Sequence, residues 1–261
     1  MKLFLFLISF YSLIELNIAA YSQGVEVETL FVLYDAGETN SLIPLIEQYK
    51  IENRRFRVLT MGTANTIFPN IAQKVDINNL LTEINIDAQN WLRTKEITKD
   101  QLVYIVSKFS PEIVITGVVS KVQEQISEYY ANTGKVIGFY DSFAYLKQNH
   151  PVLEFKHTLD QLWIPSKLLI KEFKEHGFKN IVSVGQPSLE KWKSSLSDSE
   201  LIILKKQLHL NEIKKTLMYI GSYGMNYERG LIHFVESVRN RVDSQILISL
   251  HPKSNGLLRE K

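Results

Sequence analysis

PEIVITGVVSKVQEQISEYYANTGKVIGFYDSFAYL, residues 111–146, holds two short apolar runs with a helix-period segment between them. The first run, 112–116, stops at Gly117. In the segment that follows, Val118, Val122, Ile126 and the Tyr129/Tyr130 pair recur on one stripe, while Lys121, Gln125 and Glu128 lie off it. Ser120 and Gln123 have capping-box spacing, and Gly134 stands where a helix-ending glycine stands. The second run, 135–140, ends at Asp141. Strand, helix, strand at this length is the unit of a parallel sheet. Its two strand ends carry Thr116-Gly117 and Tyr140-Asp141-Ser142 to the carboxyl edge, where open α/β sheets bind ligands.

The same alternation continues on both sides. Residues 29–34 read as a buried strand ending at Asp35, followed by the turn Asp35-Ala36-Gly37-Glu38-Thr39-Asn40. A helix over 41–51 has Leu42, Leu45, Ile46 and Tyr49 on its inner stripe. A second strand, 56–61, stops at Gly62. Residues 66–97 carry scattered apolar residues and are expected to form short helices capping the sheet. Thr98 and Gln101 make a capping box for a helix running to Phe109. Beyond residue 146, the stretch 147–158 reads as polar and irregular, broken by His150-Pro151. A strand over 159–165, a helix from Ser166 to His176 closed by Gly177, and a strand over 181–184 before Gly185-Gln186-Pro187 complete the series. About five strands alternating with helices predict an α/β, doubly wound parallel sheet of Rossmann type.

Residues 191–198 are polar and Ser-rich and read as a linker. After it come a helix (199–209), a strand (216–220), the turn Gly221-Ser222-Tyr223-Gly224, a helix (228–239) and a strand (245–250) ending at His251-Pro252-Lys253. Two strands and two helices cannot close a core alone. The expected organisation is therefore a Rossmann-like domain over 25–190 and the start of a second, incomplete α/β domain over 199–261. Residues 1–22 read as a signal peptide: Lys2, an apolar run over 3–14, and small residues suited to cleavage after Ala20 or Ser22. The run is too short to span a bilayer. The expectation is an exported or periplasmic protein if this leader operates, and otherwise a cytoplasmic or membrane-associated one.

A net charge of +2 gives no argument for nucleic acid as a partner. The absence of Cys excludes disulfides and thiolate metal sites, and the six His show no metal-binding spacing. No metal or cofactor is expected. Walker A, nucleophile-elbow, GxGxxG and zinc signatures are absent too. The chemistry must come from the strand ends. Asp35, Glu38 and Asp141 are the carboxylates there in the first sheet, so a general base is sought among them. Glu38 also fits a first-turn helix carboxylate that answers the helix dipole. Thr116, Gly117, Gly185 and Pro187 are candidate substrate-binding positions on the same edge. Gly221, Ser222, Tyr223 and Gly224 form a turn suited to a phosphate, with His251 and Lys253 as donors to a diphosphate beside it.

The series TGVVSKVQEQI, VIGFYDSFAYL, LDQLWIPSKLLIKEFKEHGFKNIVSVGQPSLE, LMYIGSYG and ILISLHPK resembles the GT-B glycosyltransferase-like proteins. Within them it is most similar to bacterial polysaccharide-synthesis members and to UDP-N-acetylglucosamine 2-epimerase and MurG-type sequences. The resemblance implies that Gly185-Gln186-Pro187 marks the crossing between domains, that 221–224 is the donor-diphosphate loop, and that His251-Pro252 borders the same cleft. It also implies that the part holding the donor-ribose carboxylate lies beyond residue 261. The function it implies is transfer of a sugar from a nucleotide-diphosphate donor to a glycan or lipid-linked acceptor. The alternatives are an exported two-lobe solute-binding protein that does no chemistry, or an inactive truncated glycosyltransferase.

Overall fold

A computed structural model describes residues 25–87, 91–143, 146, 148–192, 196–220 and 227–249. The chain divides into two compact units, residues 1–193 and 194–261. In the first, strands β1 (Val25–Leu33), β2 (Phe56–Thr60), β3 (Lys74–Asp76), β4 (Phe109–Gly117), β5 (Lys135–Phe139), β6 (Gln161–Ile164) and β7 (Ile181–Ser183) form one sheet. Their order is β3-β2-β1-β4-β5-β6-β7, and every pair is parallel. The chain winds outward from β1 to β3, returns to pair β4 with β1, and winds outward the other way.

The buried strands send alternate side chains to opposite faces, as period-2 geometry requires. On one face Leu30, Val32, Leu59 and Val114 meet Ile105 and Val106 of helix α4 (Lys99–Ser107) and Val122, Ile126 and Tyr130 of α5 (Lys121–Tyr130). On the other, Phe31, Leu33, Val58 and Ile115 meet Leu42, Ile46 and Tyr49 of α1 (Ala36–Ile51). Phe31, Tyr49 and Phe56 stack edge to face with centroids 5.3–6.2 Å apart. Tyr130 is buried, whereas Tyr129 beside it is 42% exposed, so one member of that pair belongs to the core.

Several elements differ from the sequence expectation. Of the stretch 66–97, expected to form short helices, α3 (Ile77–Thr82) is one and α2 (Ala64–Ile67) reaches into it, but β3 joins the sheet there. β3 is a three-residue edge strand with Val75 as its one apolar residue, so it shows no periodicity to read. The helix expected to reach Phe109 ends at Ser107, and Phe109 opens β4. Residues 151–157 form a 3-10 helix that buries Val152 and Phe155 within a stretch read as irregular. Ser166 caps a 3-10 turn, Lys167–Leu169, which continues into the short helix α6 (Ile170–Glu175). Gly134 does not cap α5, whose C-cap is Ala131. A Cβ at residue 134 would crowd the carbonyl oxygens of Glu112 and Pro111, at 3.1 and 3.2 Å.

The second unit contains α7 (Asp198–Gln207), β8 (Lys215–Ile220), α8 (Tyr227–Val238) and β9 (Ser244–Ser249), with β8 and β9 parallel. Among its described residues Val238 is the one buried apolar side chain. No described helix is long and apolar enough to cross a membrane.

Candidate active site

β1 and β4 are the neighbouring strands from which the chain winds in opposite directions, so the segments after them diverge and leave a crevice. β1 delivers Asp35 to the start of α1, where its Oδ1 accepts from the amides of Gly37 at 3.1 Å and Glu38 at 3.3 Å. An Asp at this position satisfies free amides and answers the helix dipole. Its Oδ2 accepts from Arg93 Nη2 at 3.0 Å.

Glu38 completes the capping box from inside the fold. Its Oε1 accepts from the Tyr34 amide, from the Asp35 amide at 3.3 Å and from Gln123 Nε2 at 2.7 Å. Gln123 is fully buried and also donates to the Val32 carbonyl at 3.1 Å. Its Oε1 accepts from the amides of Val119 and Ser120 and from the Ser120 hydroxyl at 3.0–3.3 Å. One side-chain amide thus ties β1, the first turn of α1 and the turn before α5. Glu38 Oε2 is buried with no hydrogen-bond partner, in the space a Cβ on residue 117 would take. Burial, the nearby Asp35 charge and, more weakly, Asp141 hold the Glu38 carboxyl well above the usual range, against the hydrogen bonds from Tyr34 and Gln123.

A raised carboxyl favours the fold while protonated, so stability is highest below the unfolded value and falls as pH rises toward the folded one. Glu38→Gln is expected to melt close to the parent at pH 4–5 and above it by roughly a few degrees at pH 8, measured by thermal unfolding across that range. A gap that does not widen with pH would contradict the neutral carboxyl.

Asp141 arrives from the end of β5. Its carboxylate lies over the first turn of α1, so close to Gly37 that a Cβ at residue 37 would overlap Oδ2. Burial and then Asp35 push its carboxyl up to about 6, while Arg93 opposes them. Gln186 Nε2 donates to Ser41 Oγ on α1 at 2.8 Å and reaches the Asp141 carbonyl at 3.5 Å. The His150 ring stands 5.4 Å from that of Tyr140, and burial with the Arg93 charge makes it harder to protonate.

Of the residues singled out from sequence, Asp35, Glu38, Gly117 and Asp141 therefore meet at one place. Thr116 is fully buried and its hydroxyl donates to the Gly117 carbonyl at 2.8 Å, so its side chain serves the strand end rather than an open rim. Gly185 has φ 78° and open space where a Cβ would stand, so it answers a turn. Pro187 begins a 3-10 helix, and contact with the cluster comes from Gln186 between them. Gly221, Ser222, Tyr223, Gly224, His251 and Lys253 lie outside the described residues. Arg93 and Gln123 were missed as site residues. Arg93 sits in a stretch without periodicity, and Gln123 was legible only as a capping-box partner. Among the described residues no group of three His, Asp or Glu is placed to hold a metal ion.

No family profile matches the chain, and no curated protein matches it in sequence. Solved structures do match. A putative UDP-N-acetylglucosamine 2-epimerase from Listeria monocytogenes superposes with TM-score 0.56 at 13% identity, over 88% of this chain and 65% of its own. The UDP-GlcNAc 2-epimerase from Neisseria meningitidis, determined bound to UDP-GlcNAc, gives 0.55 at 13% identity, over 87% and 66%. A glycosyltransferase from Rickettsia africae gives 0.52 at 9% identity, over 85% and 68%. The chain thus spans just under two thirds of the length of the two epimerases. With its parallel sheet wound both ways from β1 and β4, and its match to these structures, the chain has the GT-B glycosyltransferase-like fold.

Proposed function

We propose that the chain is part of a sugar-transferring enzyme that uses a nucleotide-diphosphate sugar, with Asp141 as its general base. The observation that carries this reading is the meeting of Asp35, Glu38 and Asp141 at the strand crossover, with the Asp141 carboxyl raised to about 6. A base with that value is ionised at neutral pH yet holds a proton better than an ordinary carboxylate, which is what proton removal from a hydroxyl needs. In the transfer, Asp141 takes the acceptor hydroxyl proton as the acceptor oxygen bonds to the sugar anomeric carbon. The bond from that carbon to the diphosphate oxygen breaks, and the diphosphate leaves with the electron pair. Gly221, Ser222, Tyr223 and Gly224, with His251 and Lys253, are proposed to receive the diphosphate. Arg93 keeps Asp35 paired, and Glu38 with Gln123 holds the first turn of α1 beneath Asp141.

The test is thermal unfolding of the full chain with UDP and with nucleotide sugars, followed by a transfer assay. Ligand at about a hundred times its Kd stabilises a protein by about 2.7 kcal/mol, a readable rise in melting temperature. Lys253→Ala should lose that rise. No shift with any nucleotide would sink the proposal.

A second reading is epimerisation of the sugar at C2, favoured by the two neighbours named as UDP-GlcNAc 2-epimerases. It breaks and remakes a C–H bond, so deuterium from solvent should enter C2 of the nucleotide sugar without any acceptor. An exported binder is distinguished by its N-terminus. A mature form in the periplasm beginning after Ala20 or Ser22, with no turnover, favours that reading instead.

A further inference from the structure

A cavity of about 400 Å³ opens next to the carboxylate cluster, lined on one side by Arg93, Thr94 and Glu96. The turn into α5 supplies Val119 and Lys121, and the 151–157 helix supplies Pro151, Glu154 and Phe155. Its position follows from Arg93, which lines it and binds Asp35 at 3.0 Å. Val119, Pro151 and Phe155 give it an apolar floor of the kind that takes the C–H face of a sugar ring.

The charges around that floor are unevenly used. Arg93 is paired with Asp35, and Lys121 Nζ with Glu124 at 2.8 Å. The side chains of Thr94 and Glu154 have no hydrogen bond or ion pair among the described residues, and that of Glu96 has only the more distant attraction of Lys121. What the cavity offers a ligand is therefore hydroxyl-binding groups and two carboxylates with no hydrogen-bonded or ion-paired partner among the described residues. We propose that it seats the acceptor of the transfer reaction and selects a hydroxyl-rich acceptor carrying an amino group over one carrying a carboxylate or phosphate. The acceptor role rests on the transferase reading of the neighbouring cluster. The ligand preference does not, since it is a property of the cavity.

The preference is measured without nucleotide. Saturation-transfer NMR on the full chain with glucosamine, glucose and glucuronate should show glucosamine binding about tenfold tighter than glucose, and glucuronate weakest. Glu96→Gln combined with Glu154→Gln should remove the glucosamine advantage over glucose while leaving the melting temperature unchanged, because both side chains are exposed. Glucuronate binding as well as glucosamine would overturn the proposal. So would a glucosamine advantage that survives the double substitution, or no binding of any of the three sugars. Glucosamine selectivity in a chain that shows no nucleotide response would leave the cavity assignment standing and remove the transferase reading.

Discussion

Gly117→Ala is expected to destabilise the chain by about 3 kcal/mol or more, at the upper end of what overpacking a core costs. The position that a Cβ would take is already filled by the Glu38 carboxyl, and both residues are buried where the sheet changes its winding. Neither side can retreat cheaply. Glu38 is held by the Tyr34 and Asp35 amides and by Gln123, and Gly117 by its pairing with Phe139 on β5. Displacing the carboxyl would leave buried donors on Tyr34 and Gln123 without an acceptor, a further cost of about 1–3 kcal/mol for such a group. The signature of this mechanism is non-additivity. Glu38→Ala removes the overlapping atoms, so denaturant unfolding of the double variant should show it less destabilised than the two single losses together, by at least about 1 kcal/mol. Simple addition would mean the two residues do not meet as described.

Asp141→Asn is expected to separate activity from stability. If Asp141 is the proposed general base, its loss should lower kcat/KM for the proposed sugar transfer by about 10²–10⁴-fold, while the nucleotide-induced rise in melting temperature stays. Stability should move the other way. The folded Asp141 carboxyl is raised to about 6, so the fold prefers its protonated form. That contribution is complete below the ordinary carboxylate value and is lost as pH climbs from there to about 6. Above this window the ionised group weighs against folding by about 2–3 kcal/mol. Asn carries no such charge, so the variant should melt higher than the parent at pH 8 and show no advantage at pH 4. The parent's rate should rise with pH through about 6 and then level.

Local chemistry explains which parts of this arrangement could be read in advance. Residues 112–140 announced themselves because β4, α5 and β5 are buried on regular faces, and the Ser120–Gln123 and Thr98–Gln101 boxes form as their spacing predicts. Asp35, Glu38 and Asp141 were legible because carboxylates at strand ends of a parallel sheet share an edge. β3 was not, since an edge strand of Lys74-Val75-Asp76 has too little burial to impose alternation. Nor were Arg93 and Gln123. Their roles depend on partners 58 and 85 residues away in the chain, Asp35 and Glu38, and no local pattern encodes such a contact. Gly117 and Gly134 stood out as helix and turn punctuation, yet at residue 117 the Glu38 carboxyl occupies the place of a side chain, and at residue 134 backbone carbonyls crowd it.

Asp141 shares one crevice with Asp35 and Glu38. Carboxyl-carbon NMR titration of Asp141, in the parent and in Asp35→Asn, tests it without any substrate. A midpoint near 6 that falls when the Asp35 charge is removed is the result this arrangement requires. A midpoint near 4 that ignores the substitution would place Asp141 in open water, away from its proposed partners.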